Sequence, residues 1–223
     1  MILAKYVDLS YSLDTNSPMY GNGKGLELEQ LTSLDKGNSS NTFRISIPNH
    51  AGTHVDAPAH FIKGGRKISE YSFDELIFRK PIVIDVPKSE GNWIEKVDIE
   101  KYAAKLSKAD CVLIRTGFSK YRGKEVYWKN NPGISPEAIS YIRNFKKVRC
   151  IGIDCISISG FQNRERGREA HKLAFENNND LGRPLLIIED IGLESVRRMK
   201  RLVIIPWKIK NLDSAPCSVI CEI

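Results

Sequence analysis

Histidine is scarce in this chain, and three of the four histidines fall together with one aspartate in the stretch Asn49-His50-Ala51-Gly52-Thr53-His54-Val55-Asp56-Ala57-Pro58-Ala59-His60-Phe61. His50, His54, Asp56 and His60 all occupy even positions. Pro48, Gly52 and Pro58 make the stretch a poor helix, because proline removes a donor and glycine weakens helix interiors. In an extended segment alternate side chains share a face. One face is therefore expected to present two imidazoles, a carboxylate and a third imidazole, while Ala51, Thr53, Val55, Ala57 and Ala59 pack behind it. Neutral imidazole with carboxylate suits zinc, manganese or ferrous iron without any thiolate. Gly52 allows the backbone to turn between ligands, and Pro58 is expected to interrupt sheet pairing and set His60 apart. The spacing points to His50, His54 and Asp56 as metal ligands, with His60 as a general acid/base beside them.

The same run resembles the signature of the cyclase family, which includes bacterial-type kynurenine formamidases and isatin hydrolases. Its pattern His-x-Gly-Thr-His-x-Asp-x-Pro-x-His is matched by His50, Gly52, Thr53, His54, Asp56, Pro58 and His60. Val7-Asp8-Leu9-Ser10 with Ser17-Pro18-Met19-Tyr20 is similar to the family's opening strand and proline-aromatic loop. Asp213-Ser214-Ala215-Pro216 is similar to its closing stretch. The resemblance implies a second ligand cluster from a helix histidine and a strand-end glutamate, matched here by His171 and Glu189, so that one or two ions, Zn2+ or Mn2+, are expected per subunit. It further implies hydrolysis of an amide C–N bond, in an aryl formamide such as N-formylkynurenine or a cyclic amide such as isatin. Tyr20 and Phe61 are candidate walls for a flat substrate. A lyase or cyclase that uses the same site without net water addition is the alternative, and a non-catalytic binding module is a third.

Composition narrows the remaining classes. With 223 residues, 41% hydrophobic and 27% charged, the chain is expected to form one domain with a substantial core. It contains no apolar run approaching 18 residues, and Lys5 and Asp8 sit where a signal peptide would need an apolar core. Cys111, Cys150, Cys155, Cys217 and Cys221 lie in or beside apolar runs without a Cys-x-x-Cys pair. Free thiols in a reducing cytoplasm are the expectation. A net charge of +7 invites a nucleic-acid partner, but the surplus sits in segments such as Arg164-Glu165-Arg166-Gly167-Arg168 and Arg197 to Arg201, with no recognition motif. Solvated faces account for it, except that one arginine of the 164–168 run is a candidate to hold a substrate carboxylate.

These residues need a scaffold. Strands are expected at 82–86, 111–116, 148–158, 185–188, 202–210 and 218–223, with helices at 98–107 and from the Ser135-Pro136-Glu137 cap to about 146. Residues 21–41 and 117–133 are expected as long loops, and 175–184 as a loop insertion. The order implies an α/β domain with a mixed sheet and flanking helices. The resemblance implies the swivelling β/β/α architecture and a homodimer or higher oligomer.

Overall fold

The computed structural model describes residues 5–223, so the first four residues of the Met1–Ser10 start lie outside the described residues. The chain opens with strands β1 (Tyr6–Asp8), β2 (Glu27–Thr32), β3 (Thr42–Ser46), β4 (His54–Asp56), β5 (Ile77–Phe78), β6 (Pro81–Asp85) and β7 (Trp93–Ile94). Helices α1 (Lys96–Glu100) and α2 (Ala103–Leu106) follow, then β8 (Cys111–Arg115), α3 (Val126–Lys129), β9 (Gly133–Ile134), α4 (Pro136–Arg143) and β10 (Cys150–Ile153). The last elements are α5 (Arg164–Phe175), β11 (Leu186–Glu189), β12 (Arg201–Pro206) and β13 (Ser214–Glu222).

Nine strands form one mixed sheet in the order β5-β12-β13-β4-β11-β10-β8-β6, with β1 added beside β13. The half from β11 to β6 is parallel. From β11 through β4 to β5 every pairing is antiparallel. Strand β4 is the seam between the two halves.

Alternation along the strands builds two cores, one on each face. Val112, Ile114, Ile151, Ile153 and Ile187 join the core under the helices. Their neighbours Cys111, Leu113, Cys150, Leu186 and Ile188 join the other, together with Val55. Since Val55 and Ile188 face away from the helices, His54, Asp56 and Glu189 face toward them.

Several elements differ from the sequence expectation. The 50–60 stretch is extended only at β4; Pro58–His60 is a short 3-10 turn. The expected helix at 98–107 is two short helices, broken at Tyr102 with φ −103° and ψ 10°. The 148–158 run leaves the sheet after Ile153 and passes along the site as irregular chain. Residues 21–41 contain β2, which pairs with β3 as a separate two-stranded hairpin. The strand expected at 218–223 starts earlier, at Ser214, because β13 must reach β4.

Candidate metal centre and its surroundings

Register brings the ligand types together. His54 and Asp56 are two residues apart on β4 and share a face. His54 is directly opposite Glu189 of β11, and Asp56 opposite Ser214 of β13. Cross-strand partners have adjacent side chains, so residues far apart in the chain meet over the seam. Gly52 turns the chain just before β4 at φ +60°, and a Cβ there would collide with Leu13.

Two donor groups result: His50, Asp56 and His60 form one, and His54, Asp56 and Glu189 the other, with ligand atoms within 4.8 Å of one another in each. Asp56 belongs to both. His171 from α5 completes the second group's surroundings, with Nε2 3.5 Å from Glu189 Oε1. His54, Asp56, His171 and Glu189 are buried. Asp56 Oδ1 and Oδ2 and His54 Nε2 are buried without a hydrogen-bond partner, although His50 Nδ1 lies 3.0 Å and His54 Nε2 3.4 Å from Asp56 Oδ1. Buried polar atoms without hydrogen bonds are costly, and such atoms converging from imidazole and carboxylate donors fit a divalent cation.

The imidazoles are oriented by their other nitrogens. Nδ1 of His54 lies 2.8 Å from the Gly52 carbonyl, and Nδ1 of His171 3.0 Å from the Gly167 carbonyl. A carbonyl only accepts, so both Nδ1 atoms carry the proton and both Nε2 atoms are free to ligate. Gly167 also permits the close approach of α5 to Ser159, whose Cβ would lie 2.6 Å from a Cβ at that position. Asp213 Oδ2 is 3.0 Å from His50 Nε2 and 2.8 Å from His60 Nδ1, while Asn49 donates to its Oδ1 at 2.8 Å. Ser157 Oγ and the Ile158 amide donate to Glu189 Oε1 at 2.9 and 2.7 Å.

The carboxylates of the cluster favour protonation of three of its imidazoles. Burial opposes charge on His50, but its hydrogen bond to Asp213 and the nearby Asp56 carboxylate push it up to about 10. His54 and His171 are also raised despite burial, by Asp56 and Glu189. Burial opposes ionisation of Glu189, yet His171 and His54 bring it down to about 2. Asp213, bonded to His50 and His60, lies well below the usual carboxylate range.

A cavity of about 260 Å³ opens onto this cluster, lined by Tyr20, Phe61, Arg164 and Arg168 among others. Phe61 stacks on His171 at 4.7 Å and meets His60 edge-on at 4.5 Å. All eight residues singled out in the sequence surround one centre: His50, His54, Asp56, His60, His171, Glu189, Tyr20 and Phe61. Asp213, Asn49, Ser157 and Ser159 were not anticipated. For Asp213 a signal existed, since it opens the Asp-Ser-Ala-Pro stretch; nothing marks the serines. All five cysteines are free and buried, remote from a ligand role. Among the described residues no helix is long and apolar enough to cross a membrane.

Comparison with known proteins agrees with this architecture. The family model described as a putative cyclase matches residues 7–159. A kynurenine formamidase of Bacillus anthracis is 27% identical over 221 residues, 97% of this chain and 96% of that protein. An uncharacterised protein of Methanocaldococcus jannaschii is 31% identical over 179 residues, covering 77% of each. Among solved structures, isatin hydrolase A from Labrenzia aggregata bound to benzyl benzoate aligns with a TM-score of 0.83 at 23% identity, covering 99% of this chain and 94% of that one. A predicted metal-dependent hydrolase from Bacillus stearothermophilus aligns at 0.76 and 24%, over 99% of both chains. At these identities the structures speak for the fold.

Proposed function

This chain belongs to the cyclase family, and on that premise we propose that it is a metal-dependent hydrolase that cleaves an amide C–N bond in an aryl formamide, such as N-formylkynurenine, or in a cyclic amide. The observation that carries the reading is Asp56, a buried carboxylate shared by two donor groups and hydrogen-bonded by neither oxygen. In this reading His50, His54, Asp56, His171 and Glu189 hold one or two ions, Zn2+ or Mn2+. A divalent ion would supply Lewis acidity and lower the pKa of water from about 16 toward about 7.

The remaining steps fall to the chain. His60 carries its proton on Nδ1 toward Asp213, which leaves Nε2 to take a proton as water adds to the carbonyl. The same nitrogen returns that proton to the leaving amine, which departs poorly without it. Tyr20 and Phe61 flank the cavity and suit a flat ring. Because His60 also falls in a donor group with His50 and Asp56, its role separates by one variant. His60→Ala should abolish turnover and keep metal; loss of metal with activity makes it a ligand.

The lyase or cyclase alternative uses the same site without adding water, and product mass separates the two. The reading includes a homodimer or higher homo-oligomer, supported by the apolar face of the β2–β3 hairpin. It has no nucleic-acid or membrane partner, and a cytoplasmic location goes with the free thiols. The test is hydrolysis of N-formylkynurenine by metal-stripped protein refilled with zinc or with manganese. Metal-dependent release of kynurenine is expected. Protein that holds metal and releases none rejects this substrate and turns the search to cyclic amides.

A further inference from the structure

Three arginines occupy the first two turns of α5, and only one of them is paired. Arg166 donates to both Glu95 oxygens at 2.9 and 2.8 Å and lies 3.4 Å from Glu137. Among the described residues Arg164 and Arg168 form no ion pair; both instead line the cavity over the metal cluster. They stand four residues apart, on one helix face, and His171 lies three residues beyond Arg168 on that same face. With a rise of about 1.5 Å per residue, Arg168 stands about 4.5 Å and Arg164 about 10.5 Å along the axis from His171. Arg164 also rests against aromatic rings, 5.1 Å from the centre of Phe161 and 5.8 Å from that of Tyr20.

This placement is unfavourable without a ligand. Cations in the first turns oppose the helix dipole, and like charges four residues apart repel. An anion at the cavity mouth removes both penalties, and a guanidinium grips a carboxylate through two parallel N–H bonds. A cavity of about 260 Å³ is small for a ligand pocket and suits a single substituted ring. We propose that Arg164 and Arg168 form a carboxylate clamp at the mouth of the site, so that the substrate is a small aromatic amide bearing a carboxylate on the side away from the scissile bond. This deepens the hydrolase reading and rests on it. In the reaction water adds across the amide: the C–N bond breaks, the acyl carbon gains hydroxyl, the nitrogen gains hydrogen, and the clamped carboxylate is unchanged.

The test pairs binding with turnover on metal-loaded protein. Calorimetry with benzoate should show binding that weakens about tenfold or more in the Arg164→Gln/Arg168→Gln double variant. Arg166→Gln, which removes a paired charge of the same helix outside the cavity lining, should leave the affinity within about twofold. For turnover, 4-formamidobenzoate should lose about tenfold or more in kcat/KM in the double variant, mainly through KM, while formanilide is unaffected. Benzoate that binds the double variant as well as the wild type overturns the clamp, as does an equal loss for both formamides. Wild-type protein that hydrolyses neither formamide but binds benzoate through these arginines sinks the aryl-formamide reading and leaves the anion site standing.

Discussion

Each site histidine has one ring nitrogen committed to an acceptor or a nearby carboxylate, and the commitments differ in kind. His54 and His171 are held by backbone carbonyls, whereas His50 and His60 share one oxygen of Asp213. Asp213 therefore orients two imidazoles at once. Asp213→Asn should lower turnover about 10–100-fold with an intact fold by circular dichroism; unchanged turnover would remove Asp213 from the machinery. His54→Ala or Asp56→Ala should strip most of the metal, and full occupancy by elemental analysis would count against either as a ligand. The proton load of the cluster gives a pH dependence. His50 is raised to about 10 in the metal-free protein, from about 6.5 unfolded. Its stabilisation is complete below about 6.5 and disappears as pH rises through about 10. Thermal melts of metal-free protein should accordingly lose stability across that window, while metal affinity rises with pH because binding expels protons. Histidine spacing made the first ligand set legible, since those residues lie within eleven positions. Asp213 is 153 residues from His60; the Asp-Ser-Ala-Pro resemblance marked its stretch, but no spacing tied it to the histidines.

At the scale of elements, the end of β11 is clamped by the residue after Glu189. Asp190 adopts φ 54°, unusual for a residue with a side chain. Its carboxylate accepts from Arg122 Nε and Nη2, both at 2.9 Å, and from the Tyr127 hydroxyl at 2.6 Å. Its carbonyl accepts from Thr53 Oγ1 at 2.5 Å, which ties β11 to the chain entering β4. Burial, with Asp190 adjacent, pushes the Tyr127 hydroxyl well above its usual range. Arg122→Met would leave Asp190, 1% exposed, buried and unpaired, so a loss of about 3–5 kcal/mol in urea unfolding is expected. A loss below 1 kcal/mol would mean that Asp190 finds another partner or water. Strong apolar runs such as Cys111–Arg115 were legible as strands because burial on both faces leaves a continuous signal. The β2–β3 hairpin was not, because Glu27-Leu28-Glu29-Gln30-Leu31 alternates weakly and its pairing is set by a segment beyond a turn. Nor was the break at Tyr102, where the apolar spacing of 99–106 continues across two helices.

For the whole molecule, that hairpin is the part least explained by one copy of the chain. Leu28 pairs with Ile45 and Gln30 with Phe43, so Leu28, Phe43 and Ile45 share a face, and they are 52%, 54% and 54% exposed. A lone two-stranded hairpin is marginal in water, which favours a second copy covering it. Light scattering should give about twice the 25.2 kDa chain mass, and Phe43→Glu should give the single mass. A wild-type monomer at tens of micromolar would end that assignment. The mixed sheet itself was legible from the order of strands and helices, but the seam position of β4 was not, because strand order depends on pairings that no local pattern encodes. That seam has a consequence for biosynthesis. Strand β4 pairs with β11 on one side and β13 on the other, and Asp213 stands directly before β13. A nascent chain on the ribosome thus displays His50, His54, Asp56 and His60 long before it has made the strands and the carboxylate that arrange them. A chain that ends before β13 should therefore bind a divalent ion more weakly than the full chain, because it lacks the strand and the carboxylate that arrange the β4 donors.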